Sequence, residues 1–235
     1  MKTIGMLGGM SWESTISYYK IINEVVRSEL GGLNSAKILL NSLNFDEIAK
    51  LQQQGDWPEM TKILCDSARS LEVAGADFIV ICTNTMHKIA PEIRESISIP
   101  LLHIADTTAI RLQTDGIKKV GLLGTRFTMQ QDFYKQHLTK GFGIEVIVPN
   151  DEQQTKVHNI IYKELCQGVV KEESRACYQA IMADLHNRGA QAIILGCTEI
   201  AMLIEQIHVT VPIYDTTRIH ATEAARLAIA SSIAY

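Results

Sequence analysis

The sequence predicts an α/β protein built as two pseudo-symmetric parallel-sheet α/β domains. Three observations carry this. Short apolar runs alternate with longer amphipathic segments, the pattern of strands and helices in a parallel sheet. The order of these elements repeats in the second half. The chain, at 235 residues, has room for two domains of about 100–150 residues each.

Eight runs read as buried strands: Ile4–Leu7, Ala36–Leu40, Phe78–Ile81, Leu101–Ile104, Val120–Leu123, Ile144–Val148, Ala192–Leu195 and Val211–Tyr214. Helical spacing lies between them at Ser14–Ser28, Pro58–Val73 and Met129–Thr139. Lys2-Thr3-Ile4-Gly5-Met6-Leu7-Gly8 resembles Lys118-Lys119-Val120-Gly121-Leu122-Leu123-Gly124, at an offset of 116. Gly75-Ala76-Asp77-Phe78-Ile79-Val80-Ile81-Cys82-Thr83 resembles Gly189-Ala190-Gln191-Ala192-Ile193-Ile194-Leu195-Gly196-Cys197, at an offset of 114. Ser98-Ile99-Pro100-Leu101 resembles Thr210-Val211-Pro212-Ile213, at 112. Three matches in one order at nearly constant offset indicate an internal duplication. The expected domains are 1–98 plus about 214–235, and 99–213.

Composition narrows the function classes. Hydrophobic residues are 46% and charged residues 20%, and the net charge is −4. No Lys/Arg cluster stands out, which argues against a nucleic-acid partner. The N-terminus lacks the apolar core of a signal peptide, and no apolar run approaches the ~20 residues that span a bilayer. The expectation is a cytoplasmic protein without a membrane partner. Five cysteines at irregular spacing, with no CxxC, suggest neither a zinc site nor a disulfide framework.

Ligands of parallel α/β sheets bind beyond the carboxyl ends of the strands. Two such halves facing each other make a cleft with equivalent residues on opposite walls. Thr83 and Cys197 are equivalent under the 114-residue offset, and each is expected to open a helix after an apolar strand. A thiol there should have a lowered pKa. The helix N–H groups, with Asn84, Thr85 and Thr198, could hold a carboxylate. A base on one wall and carboxylate holders on both suit proton transfer at an acidic carbon. Plainer readings stand beside this one. Thr83, Asn84 and Thr198 also suit N-caps, Cys197 alone reads equally as a core cysteine, and His87 reads as a packed or capping histidine. The Gly8-Gly9-Met10 turn lacks nucleotide-loop spacing.

The motifs Gly5-Met6-Leu7-Gly8-Gly9-Met10-Ser11-Trp12-Glu13-Ser14-Thr15, Thr83-Asn84-Thr85-Met86-His87 and Gly196-Cys197-Thr198-Glu199 resemble the aspartate/glutamate racemase family. The likeness runs essentially the whole length and is strongest to the L-aspartate/glutamate-specific or broad-specificity amino-acid racemases. It implies two α/β domains with the active site between them, often in a homodimer. It also implies a small acidic amino acid as substrate and chemistry without metal or pyridoxal phosphate. Family members use two cysteines on opposite faces of the substrate, the second-half one serving the L-enantiomer; that role falls on Cys197. The usual Cys-Asn-Thr is Thr83-Asn84-Thr85 here. Cys82 is adjacent but should face the other way, because successive strand residues alternate. The resemblance further implies substrate-binding roles for Met10 and for Thr198 and Glu199. Gln52 falls near a carboxylate-binding basic residue of aspartate racemases. Thr125 and Thr128 resemble hydroxyls that hold the amino acid, and Lys163 or Glu164 is expected to reach the cleft. Competing readings are an arylmalonate-type decarboxylase, which also keeps one second-half cysteine, and a catalytically weak amino-acid binder. Cell-wall glutamate racemases fit less well, since their second motif reads Cys-Thr-His.

Overall fold

All eight expected strands form, in two parallel sheets. The computed structural model describes residues 1–230; residues 231–235 of the expected first domain lie outside them. The chain divides into two units, Met1–His103 with the chain from His220 onward, and Ile104–Ile219.

The first unit contains β1 (Thr3–Gly8), α1 (Trp12–Leu30), β2 (Lys37–Ser42), α2 (Phe45–Gln54), α3 (Trp57–Val73), β3 (Phe78–Ile81), a 3-10 turn over Thr85–Ile89, α4 (Ala90–Ser96) and β4 (Leu101–Leu102). The second runs through α5 (Ile104–Thr114), β5 (Lys119–Gly124), α6 (Arg126–Gln130), α7 (Asp132–Phe142), β6 (Glu145–Ile147) and α8 (Asp151–Lys163). It continues with α9 (Glu172–Asn187), β7 (Ala192–Gly196), α10 (Ile200–Leu203) and β8 (Ile213–Asp215). Helix α11 (Thr216–Ile229) starts in the second unit, and its residues from His220 belong to the first.

The two sheets have the same strand order, β2-β1-β3-β4 and β6-β5-β7-β8. Their registers also match: Gly5 lies opposite Ile79 and Gly121 opposite Ile193; Ile79 pairs with Leu101 and Ile193 with Ile213. The duplication read from the offsets is thus a duplication of hydrogen-bonding register. Smaller devices repeat too. The Asp77 carboxylate accepts from the Thr3 N–H at 2.6 Å, and the Gln191 side chain accepts from the Lys119 N–H at 3.0 Å. The repeated glycine in each first strand leaves room for close packing. A Cβ at Gly5 would lie 2.8 Å from the Ala76 Cβ, and one at Gly121 would lie 2.7 Å from the Ile193 Cδ1.

Each sheet is covered on both faces, and strand alternation sorts the side chains. In the first unit Ile79 and Ile81 pack with Met60, Leu64 and Ala68 of α3, whereas Phe78, Val80 and Cys82 pack with Tyr18 and Ile22 of α1 and Ala221 and Ala224 of α11. In the second, Ile193, Leu195 and Cys197 pack with Val157 and Ile161 of α8 and Tyr178 of α9, while Ala192 and Ile194 face α5 and α7. Each fully buried Ile or Leu contributes about 1.5–3 kcal/mol, so this sorting fixes the register strongly.

Three expectations are corrected. The strands β2 and β6 are not buried: β2 is exposed or half-buried throughout, with Leu40 49% exposed. Both are edge strands, with a neighbour on one side only. The run 101–104 is strand only over Leu101–Leu102, and Ile104 already opens α5. The expected helix Met129–Thr139 is two helices, broken at Gln131, whose backbone is extended (φ −78°, ψ 149°). Met129 belongs to the core on one face of the second sheet, and Tyr134 and Leu138 to the core on the other. A straight helix could not supply both. Among the described residues no helix is long and apolar enough to cross a membrane.

Candidate active-site residues at two equivalent strand ends

Beyond β1 the chain turns sharply into α1. Gly9 has a φ of +84°, and a Cβ there would lie 2.2 Å from the Leu43 carbonyl oxygen. The Gly9 N–H donates to Thr15 Oγ1 at 2.8 Å, and the Thr15 hydroxyl donates to the Ser11 carbonyl at 2.9 Å. The amide of this turn is therefore spent internally. Ser11 caps α1, its Oγ accepting from the Ser14 N–H. Met10 is buried in the core with Leu7, Ile48 and Met86, and Gln52 is buried one turn after Ile48 on α2.

At the end of β3, three successive carbonyls are held by side chains or backbone. The Ser14 hydroxyl donates to the Cys82 carbonyl at 2.8 Å. The His87 ring donates from Nδ1 to the Thr83 carbonyl at 2.8 Å, and the His87 N–H donates to the Asn84 carbonyl at 3.1 Å. Thr83 is half-buried; Asn84, Thr85 and His87 are buried. Cys82 is fully buried on the opposite strand face, and burial pushes its thiol up. Asn84 stands at the N-cap position of the 3-10 turn without capping it: its backbone is helical (φ −73°, ψ −44°) and its side chain makes no cap bond. A capping side chain needs extended backbone at that position. His87 is held well below the ordinary histidine range, by burial first and then by His103 and His220.

The end of β7 has different chemistry. Cys197 is 9% exposed and its thiol donates to the Glu199 carboxylate, Sγ to Oε2 3.0 Å. The Thr198 hydroxyl donates to the same oxygen at 2.7 Å. Glu199 is buried. Thr198 therefore orients the carboxylate, and Glu199, at the N-cap position of α10, makes no side-chain cap bond.

The expected fall in the Cys197 pKa is overturned. The thiol is pushed well above its ordinary value, by burial first and then by the Glu199 charge and Cys166. Helix α10 has only four residues, so its dipole is small, and the neighbouring carboxylate opposes a second negative charge.

Thr125 caps α6, its Oγ1 accepting from the Thr128 N–H at 3.4 Å, with the two hydroxyl oxygens 3.3 Å apart. Both threonines are buried. The room for Thr128 comes from two glycines: a Cβ at Gly124 would lie 3.1 Å from the Thr128 Cβ, and one at Gly196 3.3 Å from its Cγ2. Thr128 thus sits against the residue that precedes Cys197.

Of the pair Lys163 and Glu164, Lys163 is exposed, and the Glu164 carboxylate accepts from Ser174 at 2.6 Å and pairs with Lys171 at 3.3 Å. Tyr162, beside that pair, packs against the core that holds Cys197. Burial pushes its phenol up. Tyr178 of α9 behaves in the same way, and its hydroxyl donates to the Val157 carbonyl at 3.3 Å. Neither tyrosine was singled out from sequence. Tyr178 carries only a core signal, and Tyr162 looks like a surface residue in a polar stretch.

Two matching α/β units, each with a polar strand end and one with a thiol beside a carboxylate, define the architecture of a racemase. The family model for Asp/Glu/hydantoin racemases matches residues 7–224, and the chain belongs to that family. It is 30% identical over 217 residues to the broad-specificity amino-acid racemase RacX of Bacillus subtilis (strain 168), covering 91% of this chain and 92% of that protein. Among solved structures it is 52% identical to a candidate Asp/Glu racemase from Yersinia pestis, with a TM-score of 0.91 over 97% of this chain and 100% of that one. It is 35% identical to an aspartate racemase homologue from Pyrococcus horikoshii OT3, with a TM-score of 0.85 over 97% and 99%. The likeness to arylmalonate decarboxylase, 12% identical at a TM-score of 0.50, is one of fold alone.

Proposed function

We propose that this chain is a cofactor-independent amino-acid racemase that interconverts the L- and D-forms of aspartate or glutamate. The observation that carries the reading is the buried Cys197–Glu199 pair, Sγ to Oε2 3.0 Å, at the strand end equivalent by register to Thr83. In this reading Cys197 and Thr83 are the two acid/base groups. Glu199 takes the Cys197 proton, and the thiolate removes the α-proton from the L-enantiomer. The substrate carboxylate, held by backbone N–H groups and by Asn84, Thr85 and Thr198, shares the negative charge that develops. Thr83 relays a proton to the opposite face. Met10, Gln52 and Thr128 shape the pocket. The expected state is a cytoplasmic homodimer, with neither metal nor pyridoxal phosphate in the chemistry.

The two acid/base groups are unequal. A positioned acid or base contributes roughly 10²–10⁴-fold, and a threonine hydroxyl is far weaker in that role than a thiol. Enantiomers have equal free energy, so kcat/KM must be the same for both. Asymmetry therefore takes the form of fast α-proton exchange from the L side with slow crossing to D. L-Glu and L-Asp incubated in D₂O test this, with deuterium at Cα expected to outrun D-isomer formation. Equal rates would remove the asymmetric mechanism.

The single thiol also supports a decarboxylase of arylmalonate type. Carbon dioxide released from an arylmalonate, with no α-proton exchange in amino acids, would select that reading.

A further inference from the structure

The two strand ends share a register but are held differently. The Thr83 carbonyl receives a ring N–H from His87, four residues on. The Cys197 carbonyl receives the backbone N–H of Ile200 at 3.1 Å, and the residue four on is Ala201. His87 is thus an addition peculiar to the first unit, buried to 2% exposure and not used by the proposed chemistry.

Its ring is fixed from behind. The His103 ring meets it edge-on with centroids 4.6 Å apart, and the His220 ring lies 5.8 Å away. His220 is itself fixed at both nitrogens. Its Nε2 donates to the Leu102 carbonyl at 3.0 Å, and its Nδ1 is 2.8 Å from the Tyr18 hydroxyl. A carbonyl can only accept, so Nδ1 of His87 and Nε2 of His220 carry their protons. The result is a wedge of three buried histidines, braced by α1, α11 and the end of β4, in which the His87 ring bonds the backbone of Thr83.

We infer that His87 is a positioning residue that sets the Thr83 hydroxyl for proton delivery, by holding the Thr83 carbonyl through its Nδ1–H. The inference rests on the reading of Thr83 as the second acid/base group. Threonine gains most from such a hold. Its side chain is short, so its hydroxyl goes where its backbone goes, and a misplacement of about 1 Å can cost on the order of 10²-fold in rate. Cys82 still donates its N–H to the Leu7 carbonyl of β1 at 2.9 Å, but Thr83 and Asn84 after it belong to neither a strand nor a regular helix. The side-chain bonds supply the constraint that secondary structure does not.

The test uses the full-length protein with His87→Asn, His87→Gln, His87→Leu and Thr83→Ala. Each is followed in D₂O for deuterium entry at Cα of L-Glu or L-Asp and for D-isomer formation. An Asn amide N–H overlays ring Nδ1 and reaches the Thr83 carbonyl, whereas a Gln amide overlays Nε2 and does not. His87→Gln and His87→Leu are expected to slow D-isomer formation about 10- to 100-fold, with deuterium entry changed less than about twofold, and His87→Asn to recover most of the loss. If His87→Gln forms D-isomer at the native rate while Thr83→Ala does not, the role of His87 is overturned and that of Thr83 stands. A parallel fall of both rates in His87→Gln and His87→Leu would also overturn it, since a merely structural residue behaves so. Native D-isomer formation in Thr83→Ala would remove the Thr83 reading and the inference with it.

Discussion

The sulfur of Cys197 lies 3.0 Å from a carboxylate oxygen of Glu199, and both side chains are buried. The carboxylate has two opposed effects. Its charge raises the thiol pKa, which reduces the thiolate present at rest. Its position offers the proton a place to go when substrate arrives.

Glu199→Gln separates these effects. Without the charge the Cys197 pKa falls, so alkylation of Cys197 at pH 7.5, followed by peptide mass spectrometry, is expected to speed up. Without the base, deuterium entry into L-Glu should slow by about 10²-fold. Faster alkylation with deuterium entry at or above the native rate would show that Glu199 does not accept the thiol proton.

Two adjacent candidates, Cys82 and Thr83, are told apart by strand parity. Cys82 is wholly buried with Ile4, Met6 and Val80. Cys82→Ser places a hydroxyl in that core and is expected to cost about 1–3 kcal/mol, seen as a lower Tm, with deuterium entry near the native rate. Cys197→Ser should keep its Tm within a few degrees and lose nearly all exchange, because a serine hydroxyl is a far weaker acid than a thiol. Loss of exchange in Cys82→Ser equal to that in Cys197→Ser would sink the assignment.

Much of this fold was legible because the duplication left its mark in residues that sheets constrain most. Gly5 and Gly121 sit at close contacts, and Ile79 and Ile193 at matching register positions. The equivalence of Thr83 and Cys197 followed from the same residues. Exposure of β2 and β6 was not legible, because an apolar run does not say whether a strand has one neighbour or two. The break at Gln131 was hidden for a similar reason: Met129 and Phe133, four residues apart, fit one helical stripe in sequence, yet they pack against the cores on opposite faces of a sheet. A lowered Cys197 pKa needs a full helix after the strand and no charge beside the thiol, whereas α10 has four residues and the buried Glu199 carboxylate lies against the sulfur. His87 looked like a cap since its spacing from Thr83 suits one; its target, a carbonyl rather than a helix end, is a matter of three dimensions.

The turn after β1 gives a prediction about strain. Gly9→Ala places a Cβ on backbone with φ +84° and within 2.2 Å of the Leu43 oxygen. Gly55 has a similar φ of +74° but nothing within 4 Å. Gly55→Ala should therefore cost only about 1–2 kcal/mol, the left-handed penalty alone. Gly9→Ala should cost at least 1–3 kcal/mol more, roughly the price of overpacking. Urea denaturation of the two variants decides it, and equal losses would show that Leu43 yields.

The buried histidine wedge predicts how the protein fails in acid. His87 is held well below the ordinary histidine range by burial and by its two neighbouring rings, so folded His87 stays neutral where the unfolded chain takes up a proton. Below about pH 6.5 the unfolded state binds more protons, and stability falls as pH falls, by up to about 1.4 kcal/mol per pH unit from this residue. The loss continues down to the folded pKa. Above about pH 7 neither state is protonated at His87, and its contribution is flat. His87→Asn keeps a donor to Thr83 but has no proton to gain. Its unfolding free energy, measured in urea between pH 7.5 and 5.5, is expected to decline less steeply than that of the native chain. Identical slopes would mean that His87 gains its proton in the folded state as readily as in the unfolded one.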